Sequence, residues 1–129
     1  MRADREGGRL SASAACDIVV MGSVVGRNVS PFNSVYGATK FAAHALAEGL
    51  RRELAAEGIR VTFIEPGTVK SEFQATAGYD PTWFAGYEKE IGPLLVPEDI
   101  ARTVAFVVSQ PPHVHLSDIM IRASRQSYP

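Results

Sequence analysis

Apolar residues concentrate in three short runs that predict the strands of a sheet. Residues 17–22 are apolar with little alternation, which is typical of a strand covered on both faces. Residues 59–65 form the second predicted strand, which Pro66-Gly67 ends, and residues 117–122 form the third. The pattern therefore predicts three strands, spaced widely along the chain.

A long helical pattern lies between the first two predicted strands. It begins near Val35 or Tyr36 and runs to about Glu57, and Gly58 is a good left-handed helix stop. Many alanines give this stretch a high helix propensity and a smooth surface for close packing. Its larger apolar residues, which we expect to supply bulk for packing, are Phe41, Leu46, Leu50 and Leu54.

A mixed connection over residues 66–96 and a further helix separate the second and third strands. Asp80-Pro81 predicts the start of a short helix inside the connection. Proline and acids at residues 97–99 begin the next helix, and Pro111-Pro112 end it. A connection this long is usually a functional lid or a poorly ordered segment. The apolar residues expected to pack the last helix are Ile100, Val104, Phe106, Val107 and Val108.

The order strand, long helix, strand predicts a βαβ unit with parallel strands. The fold class is therefore α/β with a parallel sheet. Ligands of such sheets bind at the carboxyl ends of the strands. Ser23 and Gly67 follow two of these ends.

Ser23, Tyr36 and Lys40 are candidates for one catalytic site. Tyr36 and Lys40 are four residues apart, so they share one face of the long helix. A free tyrosine has a pKa of about 10, and a nearby ammonium lowers the pKa of the phenol. The phenol then exchanges a proton with a carbonyl or alcohol oxygen, which the hydroxyl of Ser23 holds in place.

Bulk properties narrow the classes of function. The formal net charge of −1 gives no basic field, so we expect neither a nucleic-acid partner nor a membrane partner. A single cysteine, Cys16, excludes an internal disulfide and suits the cytoplasm. No apolar run approaches the ~20 residues that span a bilayer. His113 and His115 alternate but lack a third ligand, so we expect no metal site.

These motifs together resemble the short-chain dehydrogenase/reductase family. The residues that carry the resemblance, over about residues 17–125, are Ser23, then Tyr36-Gly37-Ala38-Thr39-Lys40, then Ile64-Glu65-Pro66-Gly67-Thr68-Val69. The resemblance implies that the chain forms part of a Rossmann-type, doubly wound parallel sheet. It also implies an NAD(P)-dependent oxidoreductase that interconverts a secondary alcohol and a carbonyl. Tyr36 would be the general acid/base, Lys40 would tune it and contact the ribose, and Ser23 would orient the substrate oxygen.

The resemblance also implies further binding residues. A family pattern that holds the nicotinamide amide corresponds to Pro66, Gly67, Val69 and Ser71, where serine replaces threonine but keeps a hydroxyl. Residues 66–96 would form the substrate loop. In it Trp83, Phe84 and Tyr87 either wall an apolar substrate pocket or anchor the loop to the core.

Only the carboxyl-terminal half of a family member is represented. The glycine-rich turn, the Asn-Asn-Ala-Gly strand and a further catalytic asparagine do not occur in the sequence, so the choice between NAD and NADP cannot be read. We interpret residues 1–15 as a flexible segment and residues 16–129 as the carboxyl-terminal part of an NAD(P)-binding domain. We expect the isolated chain to be inactive.

Two alternatives use the same residues differently. One is a non-catalytic remnant that pairs with another subunit through the long helix, which in the family commonly packs against its mate; a homo-oligomer, a dimer or tetramer, is expected in either case. The other is a serine hydrolase that uses Ser23 and a histidine. The glycines around Ser23 do not match the Gly-x-Ser-x-Gly elbow, which weakens the hydrolase interpretation.

Overall fold

The computed structural model describes residues 15–28 and 31–129. The strands are Cys16–Met21 (β1), Ile59–Pro66 (β2) and Asp118–Ile121 (β3), and the α-helices are Ser34–Leu54 (α1), Phe73–Thr76 (α2), Pro81–Ile91 (α3) and Pro97–Val108 (α4). Short 3-10 turns cover Val24–Gly26 and Ala55–Glu57. The segment interpreted as flexible, residues 1–15, falls outside the described residues except for its last one.

The three strands form one parallel sheet in the order β1-β2-β3, which confirms the predicted α/β class. Val20 pairs with Phe63 and Ile64 pairs with Ile119, so the carboxyl ends of the strands meet at one edge. β2 is central, and its residues from Arg60 to Glu65 are buried. The predicted strands agree with the observed ones to within one residue at each end.

Helix α1 packs on one face of this sheet because small residues let it approach closely. Ala47, Val61 and Phe63 are at most 3% exposed and form the core of this contact. The partly buried residues around them are Ile18, Val20, Ala43, Leu50 and Leu54. Helix α1 ends by tightening into the 3-10 turn before Gly58, whose φ of 72° matches the predicted left-handed stop.

Two large apolar residues of α1, Phe41 and Leu46, do not pack against the sheet. Phe41 is 42% exposed and Leu46 is 60% exposed, because both are on the side of the helix that faces away from the sheet. They share this exposed side with Ala38, Ala42 and Ala45. Helical spacing identifies apolar faces without showing which of them a neighbour covers, so it did not place these two residues relative to the sheet.

The other side of the sheet is fixed to the end of α4 by a buried arginine. Arg60 is 4% exposed; its Nε lies 2.7 Å from the Asp17 carboxylate, and its guanidinium donates to backbone carbonyls that follow α4. Packing of α4 itself was only partly predicted: Val107 is buried, but Phe106 and Val108 are exposed.

Candidate active site

The predicted site residues reach the carboxyl edge of the sheet along two adjacent strands. After β1, the amide of Gly22 continues the ladder by donating to the carbonyl of Ile64 at 2.7 Å. Ser23 follows, and its Oγ accepts from the amide of Val25 at 3.3 Å, which caps the 3-10 turn. The turn therefore holds Ser23 beside the first turn of α1.

A close backbone approach fixes that turn against α1. A Cβ added to Gly26 would lie 2.9 Å from the carbonyl oxygen of Lys40, closer than side-chain atoms normally come. Only glycine therefore allows the turn after Ser23 to reach the helix that carries Tyr36 and Lys40. The contact relates the three candidate catalytic residues to one another through the backbone.

The surroundings of Tyr36 raise the pKa of its phenol. Burial raises the pKa of Tyr36 above its ordinary value, and the electrostatic interaction with the nearby Tyr79 phenol adds to this increase. The hydroxyl of Ser23 acts in the opposite direction, since it can donate a hydrogen bond to the phenolate and so lowers the pKa. Ser23 and Tyr36 are thus close enough to interact, as the sequence predicted.

The ammonium of Lys40 lies over the ring of Tyr36. Its Nζ is 5.5 Å from the centre of the Tyr36 ring, within the range of a cation–π contact. The sequence predicted that this ammonium would lower the pKa of Tyr36. In the structure the net direction is upward, because burial is the largest effect on the phenol.

A cleft of about 650 Å³ opens beside Ser23 and Tyr36. The predicted site residues that line it are Ser23, Tyr36, Pro66, Gly67, Val69, Ser71, Trp83 and Phe84. Lys40 is predicted for the site but does not line the cleft. Residues that the sequence reasoning missed also line it, among them Thr68, Phe73, Tyr79 and Tyr128.

Aromatic side chains form a continuous wall along the cleft. Ring centres are 6.1 Å apart between Tyr36 and Phe73, 6.2 Å between Phe73 and Tyr79, and 6.1 Å between Tyr79 and Trp83. Trp83 then stacks on Tyr87 at 5.4 Å. The aromatic content of residues 73–87 was a signal for this wall, although only the structure shows that it reaches Tyr36.

The segment after β2 is held by its own hydrogen bonds. Gln74 Nε2 donates to the carbonyl of Val69 at 2.7 Å, and the amide of Thr68 donates to Gln126 Oε1 at 3.1 Å. A Cβ on Gly67 would lie 2.4 Å from the same Gln126 oxygen, so a larger residue here would displace the Gln126 side chain from its contact with Thr68. No sequence pattern pointed to Gln126, which lies 58 residues from Thr68.

The residues present fit the nicotinamide end of a dinucleotide cofactor. Tyr36, Ser71 and the backbone from Pro66 to Val69 share one cleft and offer hydroxyl and peptide groups to an amide and a ribose. Among the described residues, no carboxylate lies within 4.0 Å of Lys40 Nζ, so this ammonium is available to ribose hydroxyls.

The histidines lie away from the cleft. His115 Nε2 is 2.8 Å from the carbonyl of Val61 and therefore contacts the backbone of β2. His44 stacks on Phe63 at 5.0 Å. Within residues 15–28 and 31–129 no group of three or more potential ligands is arranged for a metal ion. With no histidine among the cleft residues, Ser23 has no base of the kind that the serine hydrolase interpretation needs.

Comparisons with known proteins find relatives in the family that the sequence motifs resemble. A family model described as short chain dehydrogenase matches residues 9–81, more than half of the chain. An uncharacterized oxidoreductase of Staphylococcus aureus is 36% identical over 105 residues, which are 81% of this chain and 41% of that protein. Dehydrogenase/reductase SDR family member 11 of Bos taurus is 40% identical over 113 residues, or 84% of this chain and 44% of that protein.

A solved structure, the closed form of serine dehydrogenase complexed with NADP+, superposes with a TM-score of 0.74 and 32% sequence identity. The match covers 87% of this chain and 46% of that one. The chain thus spans less than half the length of each of these three relatives. Among the described residues, no helix is both long enough and apolar enough to cross a membrane.

Proposed function

The chain belongs to the short-chain dehydrogenase/reductase family, and we propose that it carries the catalytic part of an NAD(P)-dependent oxidoreductase. The reaction interconverts a secondary alcohol and a carbonyl compound. The observation that carries this proposal is the shared cleft: Ser23, Tyr36, Ser71 and the residues from Pro66 to Val69 all line it. We place the activity in the cytoplasm, since a single cysteine suits a reducing compartment.

Proton transfer in this proposal belongs to Tyr36. Because its pKa is raised, the phenol is protonated at neutral pH and is ready to donate to a carbonyl oxygen. The hydroxyl of Ser23 donates to the same oxygen and orients it. In the reverse direction Tyr36 takes the alcohol proton, and a lower pKa then favours the reaction. A bound nicotinamide cofactor supplies or accepts the hydride.

Lys40, Ser71 and the backbone around Val69 hold the cofactor in this proposal. Lys40 presents a positive charge beside the Tyr36 ring, where it binds ribose hydroxyls and favours the phenolate. Ser71 Oγ accepts from the amide of Phe73 at 3.2 Å and keeps its own proton for a cofactor amide oxygen. The related serine dehydrogenase carries NADP+, which supports a nicotinamide cofactor without choosing between NAD and NADP here.

The experiment that tests the proposal is a chimera. The carboxyl-terminal part of the Staphylococcus aureus oxidoreductase is replaced by the matching part of this chain, and reduced nicotinamide is followed by absorbance with a panel of ketones. The purified chain alone is assayed in parallel. We expect turnover by the chimera, and a loss of about a hundredfold or more with Tyr36→Phe.

The matched controls separate chemistry from binding. Tyr36→Phe should weaken cofactor binding far less than it slows turnover, because it removes one hydroxyl contact while the ring and its contact with Lys40 remain. Lys40→Met should weaken cofactor binding, whereas Lys89→Met, an exposed lysine on α3, should not. A folded chimera whose turnover is insensitive to Tyr36→Phe would contradict the proposal.

Subunit pairing is a second candidate function, and the exposed side of α1 favours it. Phe41 and Leu46 are 42% and 60% exposed, and small alanines flank them. An apolar stripe of this kind suits close packing against a second copy of the same helix. Light scattering should show a dimer or tetramer that Leu46→Glu dissociates, while Glu53→Gln on the same helix leaves it intact.

A further inference from the structure

The aromatic wall indicates which substrates the cleft accepts. From Tyr36 the rings of Phe73, Tyr79 and Trp83 follow one another at centre distances of 6.1–6.2 Å, and Trp83 stacks on Tyr87. The proton donor at Tyr36 therefore stands at one end of a continuous aromatic surface. A substrate oxygen bound at Tyr36 places its neighbouring substituent along these rings.

Much of this aromatic surface is uncovered. Trp83 is 59% exposed and Phe73 is 46% exposed, and both border the cleft. A contiguous exposed patch of large apolar side chains is unusual on a folded protein and marks a binding surface. Flat apolar groups bind such a surface well, because aromatic rings prefer stacked and edge-to-face contacts with other rings.

The charge of the cleft disfavours substrates that carry a carboxylate, such as hydroxy acids and keto acids. Of the described residues that line it, none is lysine, arginine or histidine, and Asp80 carries the one carboxylate side chain. The nearby Lys70 is paired with Glu88 at 2.7 Å and does not line the cleft. A substrate carboxylate would find no cationic side chain here and would be repelled by Asp80.

From these observations we infer that the substrate is a neutral ketone or secondary alcohol that bears an aromatic ring next to the reacting carbon, in preference to a hydroxy acid or keto acid. The inference rests on the proposed function. In reduction, the carbonyl carbon accepts a hydride from a reduced nicotinamide and the oxygen accepts the Tyr36 proton. The C=O π bond is replaced by one C–H and one O–H bond, and solvent returns the proton to Tyr36.

The test uses the fluorescence of Trp83, the single tryptophan of the chain and part of the cleft. The full chain is titrated with α-methylbenzyl alcohol, with mandelate and with cyclohexyl methyl carbinol. Mandelate keeps the ring but replaces the methyl group by a carboxylate, and the carbinol keeps the size but not the flat ring. We expect a saturable change with α-methylbenzyl alcohol at a Kd about tenfold or more below that of mandelate.

Two variants assign the effect to particular side chains. Phe73→Ala should raise the Kd of α-methylbenzyl alcohol about three- to tenfold, with a smaller change for the carbinol. Phe106→Ala, which removes an aromatic ring on α4 that is 58% exposed and lies outside the cleft, serves as the control and should leave the Kd unchanged. Asp80→Asn keeps a residue that caps helices well and should narrow the difference between mandelate and the alcohol.

The outcomes separate this inference from the proposed function. Equal binding of mandelate and α-methylbenzyl alcohol, or no saturable change with the alcohol, would overturn the inferred substrate class. Turnover of hydroxy acids by the chimera, with no preference for aromatic alcohols, would also overturn it and would leave the proposed function standing. If the aromatic alcohol binds selectively but turnover is insensitive to Tyr36→Phe, the inferred substrate class is supported. The proposed proton transfer by Tyr36 is then contradicted.

Discussion

Arg27 and Glu65 join the ends of two neighbouring strands through a single ion pair. The Nε of Arg27 lies 2.7 and 2.9 Å from the two carboxylate oxygens of Glu65. The hydrogen bond to Glu65 is the largest of the effects that raise the pKa of Arg27. Since Arg27 follows the turn that Ser23 caps and Glu65 precedes Pro66, the pair holds the two loops of the candidate site in a fixed relation.

Removing Arg27 should destabilise the fold. Glu65 is 1% exposed, whereas the Arg27 side chain is 39% exposed, so Arg27→Met leaves a carboxylate that is buried without its partner. We expect a loss of about 2–3 kcal/mol in the free energy of unfolding, below the range for a fully buried pair because Arg27 is partly solvated. Urea denaturation followed by circular dichroism measures it.

The controls for this prediction use a surface pair and a double variant. Arg52, whose side chain is 74% exposed, lies 2.6 Å from Glu48 on α1, and Arg52→Met should leave the unfolding free energy nearly unchanged. Arg27→Met combined with Glu65→Met should cost less than Arg27→Met alone, because no charge is then buried. Equal losses for Arg27→Met and Arg52→Met would show that the pair contributes nothing to stability.

Two glycines of the same region should respond in opposite directions to alanine. In Gly26→Ala the new Cβ would meet the Lys40 carbonyl oxygen at 2.9 Å, and we expect a loss of about 1–3 kcal/mol from the displaced backbone. In Gly49→Ala the Cβ meets nothing within 4 Å, and Gly49 lies inside α1. That change should stabilise the chain by about 0.5–1 kcal/mol.

Thermal unfolding of the Gly26→Ala and Gly49→Ala variants compares the stability change at the two sites. The substitution, glycine to alanine, is the same in both. Gly26→Ala should also weaken the interaction between Ser23 and Tyr36, because the turn moves away from α1. If both variants were stabilised alike, the turn would have room for a side chain, and the close approach would not position Ser23.

Much of the fold could be predicted because its signals are local. Apolar runs located the strands, and Gly58 located the end of α1, since a left-handed stop needs only one residue. The convergence of Ser23 and Gly67 could be predicted as well, because parallel strands end at the same edge of a sheet. These inferences needed only the periodicity of the chain and the rule for strand ends.

The remaining features depend on contacts between distant segments. Gln126 reaches Thr68 across 58 residues, and Arg60 reaches the end of α4 across about 50. Sequence periodicity carries no information about such pairs. The upward shift in the pKa of Tyr36 was also missed, because desolvation depends on what covers the ring, whereas the spacing to Lys40 reports only a neighbour on the helix.

The pKa of Tyr36 should respond to Ser23. Because the Ser23 hydroxyl lowers this pKa, Ser23→Ala should raise it further. The absorbance of tyrosinate is measured against pH for each protein and for its Tyr36→Phe counterpart, and the difference isolates this phenol. We expect its midpoint above the value of about 10 for free tyrosine, and higher still in Ser23→Ala.

The sign of the linked stability follows from the same shift. A folded-state pKa that is raised above the unfolded one gives a contribution that is complete below pH of about 10 and is lost as pH rises through the folded pKa. Tyr36→Phe should therefore flatten the alkaline limb of the stability profile. A midpoint in Ser23→Ala that is equal to or below that of the unsubstituted chain would contradict the interaction.

Removing the guanidinium of Arg60 should lower the free energy of unfolding more than removing that of Arg27, Arg52 or Arg102. Arg60 is 4% exposed and donates to Asp17 and to the carbonyls of Gln110, Pro111 and Val114, at 2.7–3.0 Å. Arg60→Met would leave a carboxylate and several carbonyls without donors, so we expect a loss of about 3–5 kcal/mol in the free energy of unfolding. Urea denaturation again provides the measurement.

A lysine variant separates the contribution of the positive charge of Arg60 from that of the planar shape of its guanidinium. Arg60→Lys keeps the charge but loses the planar fork that serves several acceptors at once, so its loss should lie between that of Arg60→Met and none. Arg102→Met is the control: this arginine lies on α4 with its side chain 72% exposed, and its removal should change little. A lysine variant as stable as the unsubstituted chain would mean that charge alone holds α4 to the sheet, because the carbonyl contacts would then be dispensable.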